Sequence, residues 1–72
     1  MEKSKNRIPR KFNRIIVEML IDTSCDKAGD ILHIYKNDFG YLTLNKRTGN
    51  YAYIFASYLR NNDICKIIQI EV

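Results

Sequence analysis

ILHIYKNDFGYLTLNKRTGNYAYI, residues 31–54, holds three short apolar runs separated by two turn signals. Each run alternates with a period of two, the pattern of a strand that buries one face. In ILHIY (31–35) the alternation turns Leu32 and Ile34 toward a core and leaves Ile31, His33 and Tyr35 on the other side. In YLTLN (41–45) it turns Leu42 and Leu44 inward, and in NYAYI (50–54) it separates Ala52 and Ile54 from Tyr51 and Tyr53. The connections KNDFG (36–40) and KRTG (46–49) both end in glycine, which supplies the backbone conformations that tight hairpins need. The stretch predicts three antiparallel strands joined by two hairpins.

Working outward, FASYL (55–59) breaks the period of two and is too short for an independent α-helix, so a single 3₁₀ turn is expected there. RNND (60–63) is polar, and ICKIIQIEV (64–72) reads as a last strand. On the N-terminal side, IIVEMLI (15–21) reads as a first strand buried on most sides, and DTSCDKAGD (22–30) is turn chemistry. Five short strands and one helical turn predict a mainly-β domain, a small closed or nearly closed barrel. Closure would remove the edges that five apolar strands leave open. Residues 1–13 have no apolar period and contain Pro9, which cannot donate to a ladder. They read as a basic flexible arm, disordered or loosely docked through Ile8 and Phe12, in front of a barrel spanning residues 14–72.

The chain has 72 residues and a net charge of +4. Its basicity is concentrated: Lys3, Lys5, Arg7, Arg10, Lys11 and Arg14 stand against Glu2 alone in the first 14 residues. The remainder holds six basic and seven acidic side chains. No apolar run approaches the ~20 residues that cross a bilayer, and no apolar region follows the basic start, so neither a membrane anchor nor a secretory signal is expected. Cys25 and Cys65 are too few and too far apart for a disulfide framework, and a cytoplasmic protein with two reduced thiols is the expectation. A domain of this size buries about 60% of its unfolded surface, which leaves little room for a deep, water-excluding site.

AGDILHI (28–34), GYLTL (40–44) and GNYAYIFASYL (49–59) resemble successive parts of an SH3 domain: its Gly-Asp turn, its tryptophan-bearing strand, and its fourth strand running into a 3₁₀ turn. In that register Tyr41 stands at the tryptophan position, and Tyr53, Phe55 and Tyr58 stand at the strand-end, proline and 3₁₀ tyrosine positions. The resemblance covers about residues 15–72. It implies a five-stranded SH3-like barrel with a protein-binding face formed by Tyr41, Tyr53, Phe55 and Tyr58. The chain departs from the family where the first strand meets its loop: MLIDTS (19–24) has no aromatic residue. A proline-rich ligand would lack half of its apolar slots. VEMLIDTS (17–24) followed by GDILHIYKND (29–38) is also similar to compact SH3-like proteins of phages and bacterial mobile elements, a likeness that implies no single activity.

Catalytic chemistry finds no support in these residues. His33 is the only histidine, on the outward side of a strand, and neither cysteine is tied to it by a sequence signal. Two cysteines and one histidine at spacings of 8 and 32 do not make a zinc pattern, and there is no glycine-rich phosphate loop. No enzyme, metal or cofactor is expected. Seven of the eight aromatic residues fall between Tyr35 and Tyr58, as recognition surface or as ordinary cross-strand pairs. The arm has three readings: phosphate neutralisation on nucleic acid, docking on an acidic protein surface, or solvation. No recognition helix is available for a major groove. The expected function is therefore a non-enzymatic binding module that engages nucleic acid or a nucleoprotein complex through backbone contacts from Lys3, Lys5, Arg7, Arg10, Lys11 and Arg14, with the aromatic face adding area. The alternative is a protein–protein interaction module, or an inhibitor of a host protein, that uses Tyr41, Tyr53, Phe55 and Tyr58. A homodimer through an exposed strand or the apolar last strand is compatible with either.

Overall fold

The computed structural model describes residues 6–72. Five antiparallel strands and one helix follow in order: β1 (Arg14–Met19), β2 (Ile31–Asn37), β3 (Gly40–Asn45), β4 (Tyr51–Ile54), α1 (Ala56–Arg60) and β5 (Cys65–Glu71). The strands form one sheet in the order β4-β3-β2-β1-β5. This architecture is consistent with an SH3-like fold, but the expected closure is corrected: β4 and β5 are the two edges, and no ladder joins them among the described residues. β4 has only four residues before the chain turns into α1, too few to reach round the sheet.

β1 sits between β2 and β5 and sets the core. Ile15, Val17 and Met19 point to one side and are buried. Leu32 and Ile34 join them from β2, Cys65 from β5 and Leu59 from α1. The strand stops at Met19, so Leu20 and Ile21, expected within it, are exposed. β5 pairs with β1 across an irregularity: Ile16 opposes Gln69 while Val17 opposes Ile67, which leaves Ile68 as the extra residue of a bulge. β2 runs two residues further than its apolar pattern, so Asp38 and Phe39 alone make the turn to β3. The Asn37 side-chain carbonyl accepts the Phe39 N–H at 2.8 Å and holds that turn.

The facing of β3 is the main correction. Residues paired across an antiparallel ladder share a face, and Ile34 pairs with Thr43 while Leu32 pairs with Asn45. Thr43 and Asn45 are therefore the inward residues, and both are buried. Leu42 and Leu44 pair with Tyr35 and His33 on the outer face, where they are half-buried. Polar residues hold the inward positions because each finds partners there. The Thr43 hydroxyl donates to the Ala52 carbonyl at 2.9 Å. The Asn45 amide donates to Asp26 at 2.6 Å and to Asp30 at 2.9 Å, while its carbonyl accepts the Arg47 and Thr48 N–H groups.

The segment before β1 is docked from Asn6 onward rather than free. The Asn6 N–H donates to the Arg60 carbonyl at 3.0 Å, and its side-chain amide donates to the carbonyls of Leu59 and Cys65 at 3.0 and 2.9 Å. Ile8 and Phe12 pack against the core, as their place in the sequence suggested, and Phe12 stacks on Tyr41 with ring centroids 6.2 Å apart. The expected 3₁₀ turn is an α-helix of five residues. The Phe55 carbonyl accepts from Tyr58 at 3.0 Å and from Leu59 at 3.3 Å, so the first turn shares 3₁₀ and α bonding. A helix this short is not stable alone. Burial of Leu59 holds its middle, and Asn6 satisfies the carbonyls that its C-terminal end leaves open.

Candidate binding surface

The docked segment sorts its side chains. Asn6, Ile8 and Phe12 face the domain, whereas Arg7, Arg10 and Lys11 are exposed. Docking thus leaves three cations of the arm exposed on a backbone tied to the body. Arg14 belongs to a different environment. Its Nη2 donates to both carboxylate oxygens of Glu71 at 2.7 and 2.6 Å, and its Nη1 lies 3.4 Å from His33 Nδ1. That guanidinium is engaged by neighbours in β5 and β2. Lys3 and Lys5 lie outside the described residues.

The four aromatics of the expected protein-binding face differ in facing and exposure. Tyr41 lies on the core side, stacked on Phe12, with Lys36 Nζ 6.0 Å from its ring centroid. Tyr58 is half-buried against the core from α1. Its hydroxyl pKa is raised, chiefly because burial disfavours the phenolate. Tyr53 pairs with Leu42 on the outer face and is 53% exposed, its hydroxyl accepting from Asn37 at 3.0 Å. Phe55 precedes α1 and is 83% exposed. Tyr41 and Tyr53 thus lie on opposite faces of the sheet.

Sequence reasoning left out Phe39, the most exposed aromatic residue of the described chain at 86%. The KNDFG connection expected from the sequence narrows to a two-residue turn in the structure. Residues of a two-residue hairpin turn project beyond both strands, so an aromatic side chain at that position has no neighbours to bury it.

Cys25 lies in the loop between β1 and β2 and is exposed. It borders a groove of about 440 Å³ lined by polar side chains such as Ser24, Asp26 and Thr48 and also by Tyr51 and Ala52. His33 sits on the outer face of β2, so the two do not meet. The His33 pKa is lowered, first by burial and then by the charges of Arg14 and Lys46. Cys65 is buried, its thiol pushed up to about 11 by loss of solvent. No group of three or more potential metal ligands occurs among the described residues. Among them, too, no helix is long and apolar enough to cross a membrane.

A further electrostatic cluster surrounds Asp30. Asp30 is buried and accepts from Arg47 Nε at 2.7 Å, Arg47 Nη2 at 3.0 Å, the Lys27 N–H at 2.9 Å and Asn45 at 2.9 Å. The Arg47 guanidinium and those N–H donors hold its carboxyl well below the usual carboxylate range. The cluster fastens the β1–β2 loop to the β3–β4 hairpin, at the end of the sheet remote from Phe39. Both oxygens of the Asp30 carboxylate are occupied by donors from the chain, so the cluster serves as a clasp. Set beside known proteins, the chain matches no protein-family model, no curated protein and no solved structure.

Proposed function

We propose that this chain is a non-enzymatic binding module that engages nucleic acid, or a nucleoprotein surface, through phosphate contacts from its N-terminal segment. The observation that carries the reading is the sorting of that segment. Ile8 and Phe12 pack inward, so the backbone that carries the exposed Arg7, Arg10 and Lys11 is already ordered before any binding. Cations fixed on a scaffold engage a polyanion at a lower ordering cost than cations on a free chain. Backbone contact of this kind is tolerant of sequence.

The test is a salt titration of binding to single- and double-stranded oligonucleotides, comparing the full chain with an Arg7→Ala/Arg10→Ala/Lys11→Ala variant. Removing residues 1–13 would be the wrong comparison, because it strips Asn6, Ile8 and Phe12 from the body. The full chain is expected to lose affinity linearly in log salt. Each phosphate contact contributes about 0.7 to the slope on single strands and about 0.9 on duplex, so the triple variant should lower the slope by about 2–3. Absence of binding by the full chain at low salt refutes the reading.

A second reading, a protein-interaction module, is favoured by the exposure of Tyr53 and Phe55. Under it, Tyr53→Ala and Phe55→Ala weaken a complex that the triple arginine and lysine change leaves intact.

A further inference from the structure

The ladder registers bring scattered residues to one end of the sheet. Lys36 pairs with Tyr41 and Asn37 with Gly40, Tyr41 pairs with Ile54, and Arg14 pairs with Glu71. The start of β1, the end of β2, the start of β3 and the end of β4 therefore coincide there. Phe39 tops the β2–β3 turn, and Phe55 is the first residue beyond the last β3–β4 pair. The two most exposed phenylalanines of the described chain thus share this end. Phe12, stacked on Tyr41, brings Lys11 to the same place, and Lys36 lies over the Tyr41 ring. Two carboxylates are nearby: Glu71 is occupied by Arg14, and Asp38 lies in the turn itself.

We propose that this end is a stacking site for the unpaired bases of a single-stranded nucleic acid, with Phe39 and Phe55 as platforms and Lys11 and Lys36 on the flanking phosphates. The proposal rests on the nucleic-acid reading above and adds the strand class and the residues that select it. Phenylalanine offers a π-face and no hydrogen-bonding group, so it stacks on any base and reads none. In a duplex both faces of each internal base are already stacked, and a projecting ring finds no partner. In a single strand the faces are open. The flanking lysines supply the opposite charge that a phosphodiester backbone requires, and Lys11 follows Arg10 directly in the exposed part of the arm.

The deciding experiment measures fluorescence anisotropy of a labelled oligothymidylate, a duplex of equal length and an abasic strand of equal charge. The proteins are the full chain, Phe39→Ala/Phe55→Ala and Phe39→Tyr/Phe55→Tyr. Base–aromatic stacking predicts that the double alanine variant loses about tenfold or more on the single strand. It should keep its duplex affinity and its salt slope, and the tyrosine variant should bind as the full chain does. The full chain should also bind the abasic strand more weakly than oligothymidylate, a readout that leaves the protein unaltered. Equal binding of the single strand by the full chain and the alanine variant, or of abasic and normal strands by the full chain, overturns this site while the arm reading stands. Equal loss on single strand and duplex also overturns it. No binding of any strand by the full chain overturns both.

Discussion

Asn45 shows how a polar residue can occupy a core position. It is 3% exposed, and four hydrogen bonds satisfy its amide: two donated to Asp26 and Asp30, two accepted from Arg47 and Thr48. Removing a buried, fully bonded polar side chain costs about 1–3 kcal/mol, and alanine at this position would remove the four bonds that Asn45 makes with Asp26, Asp30, Arg47 and Thr48. Asn45→Ala is therefore expected to destabilise the domain by about that amount. For a domain of this size the melting midpoint would fall by about 4–8 °C for each kcal/mol. Thermal unfolding followed by circular dichroism checks it, and an unchanged midpoint would mean that the clasp contributes nothing to stability. The same residue explains why the facing of β3 was not legible. YLTLN alternates, and leucine is the ordinary inward choice, yet Asn45 is satisfied by Asp26 and Asp30, which lie 19 and 15 residues away along the chain. Local pattern carries no trace of partners at that separation.

Among the elements, α1 and the N-terminal segment depend on each other. Asn6 bonds the carbonyls of Leu59, Arg60 and Cys65, and the Asn13 N–H donates to the Glu71 carbonyl at 2.7 Å, so the segment is tied at both ends. Asn6→Ala removes the two side-chain bonds, a loss of about 0.5–1.5 kcal/mol for each. The expected result is faster amide exchange at Asn6, Asn13 and the last turn of α1, with the β2–β3 ladder unaffected. Unchanged exchange would show that Ile8 and Phe12 hold the segment without help. The strands themselves were legible because alternation over four to seven residues is a direct image of one buried face. The helix was not. FASYL lacks the length for propagation, and its C-terminal partner Asn6 lies more than 50 residues earlier. The exposed positions of the arm were readable in part, since Ile8 and Phe12 are its large apolar residues, but nothing local marked Asn6 as an anchor.

At the scale of the whole molecule, protonation links the outer face to stability. His33 has a folded pKa below its ordinary 6.5, so the folded state takes up the proton less readily than the unfolded chain. The groups that face it are Arg14, Lys46 and Glu71, and only Glu71 favours the charged imidazole. Its depressed pKa costs nothing above about pH 7 and reduces stability as the pH falls through 6.5. Asp30, also depressed, keeps its contribution throughout that window and loses it only as the pH falls below the unfolded carboxylate value of 3.8. Denaturant midpoints measured between pH 8 and pH 5 are thus expected to decline in the full chain and to stay level in His33→Gln. A decline that persists in the variant would assign the effect elsewhere. The candidate surface was the least legible part of the molecule. The basic residues could be picked out by composition, whereas the placing of Phe39 and Phe55 at one end of the sheet depends on the pairing of β3 with both its neighbours.

The two thiols differ in a way that reaches beyond the fold. Cys25 stands in solvent on the β1–β2 loop, and Cys65 is sealed among Leu59, Tyr58 and Asn6 with a thiolate hard to form. Alkylating reagents react with the thiolate, so a native molecule takes one label and an unfolded one takes two. Mass spectrometry of pulse-labelled protein then counts the unfolded fraction directly. The single native label also provides an attachment point at the opposite end of the sheet from Phe39, where a tether or dye leaves the aromatic end free.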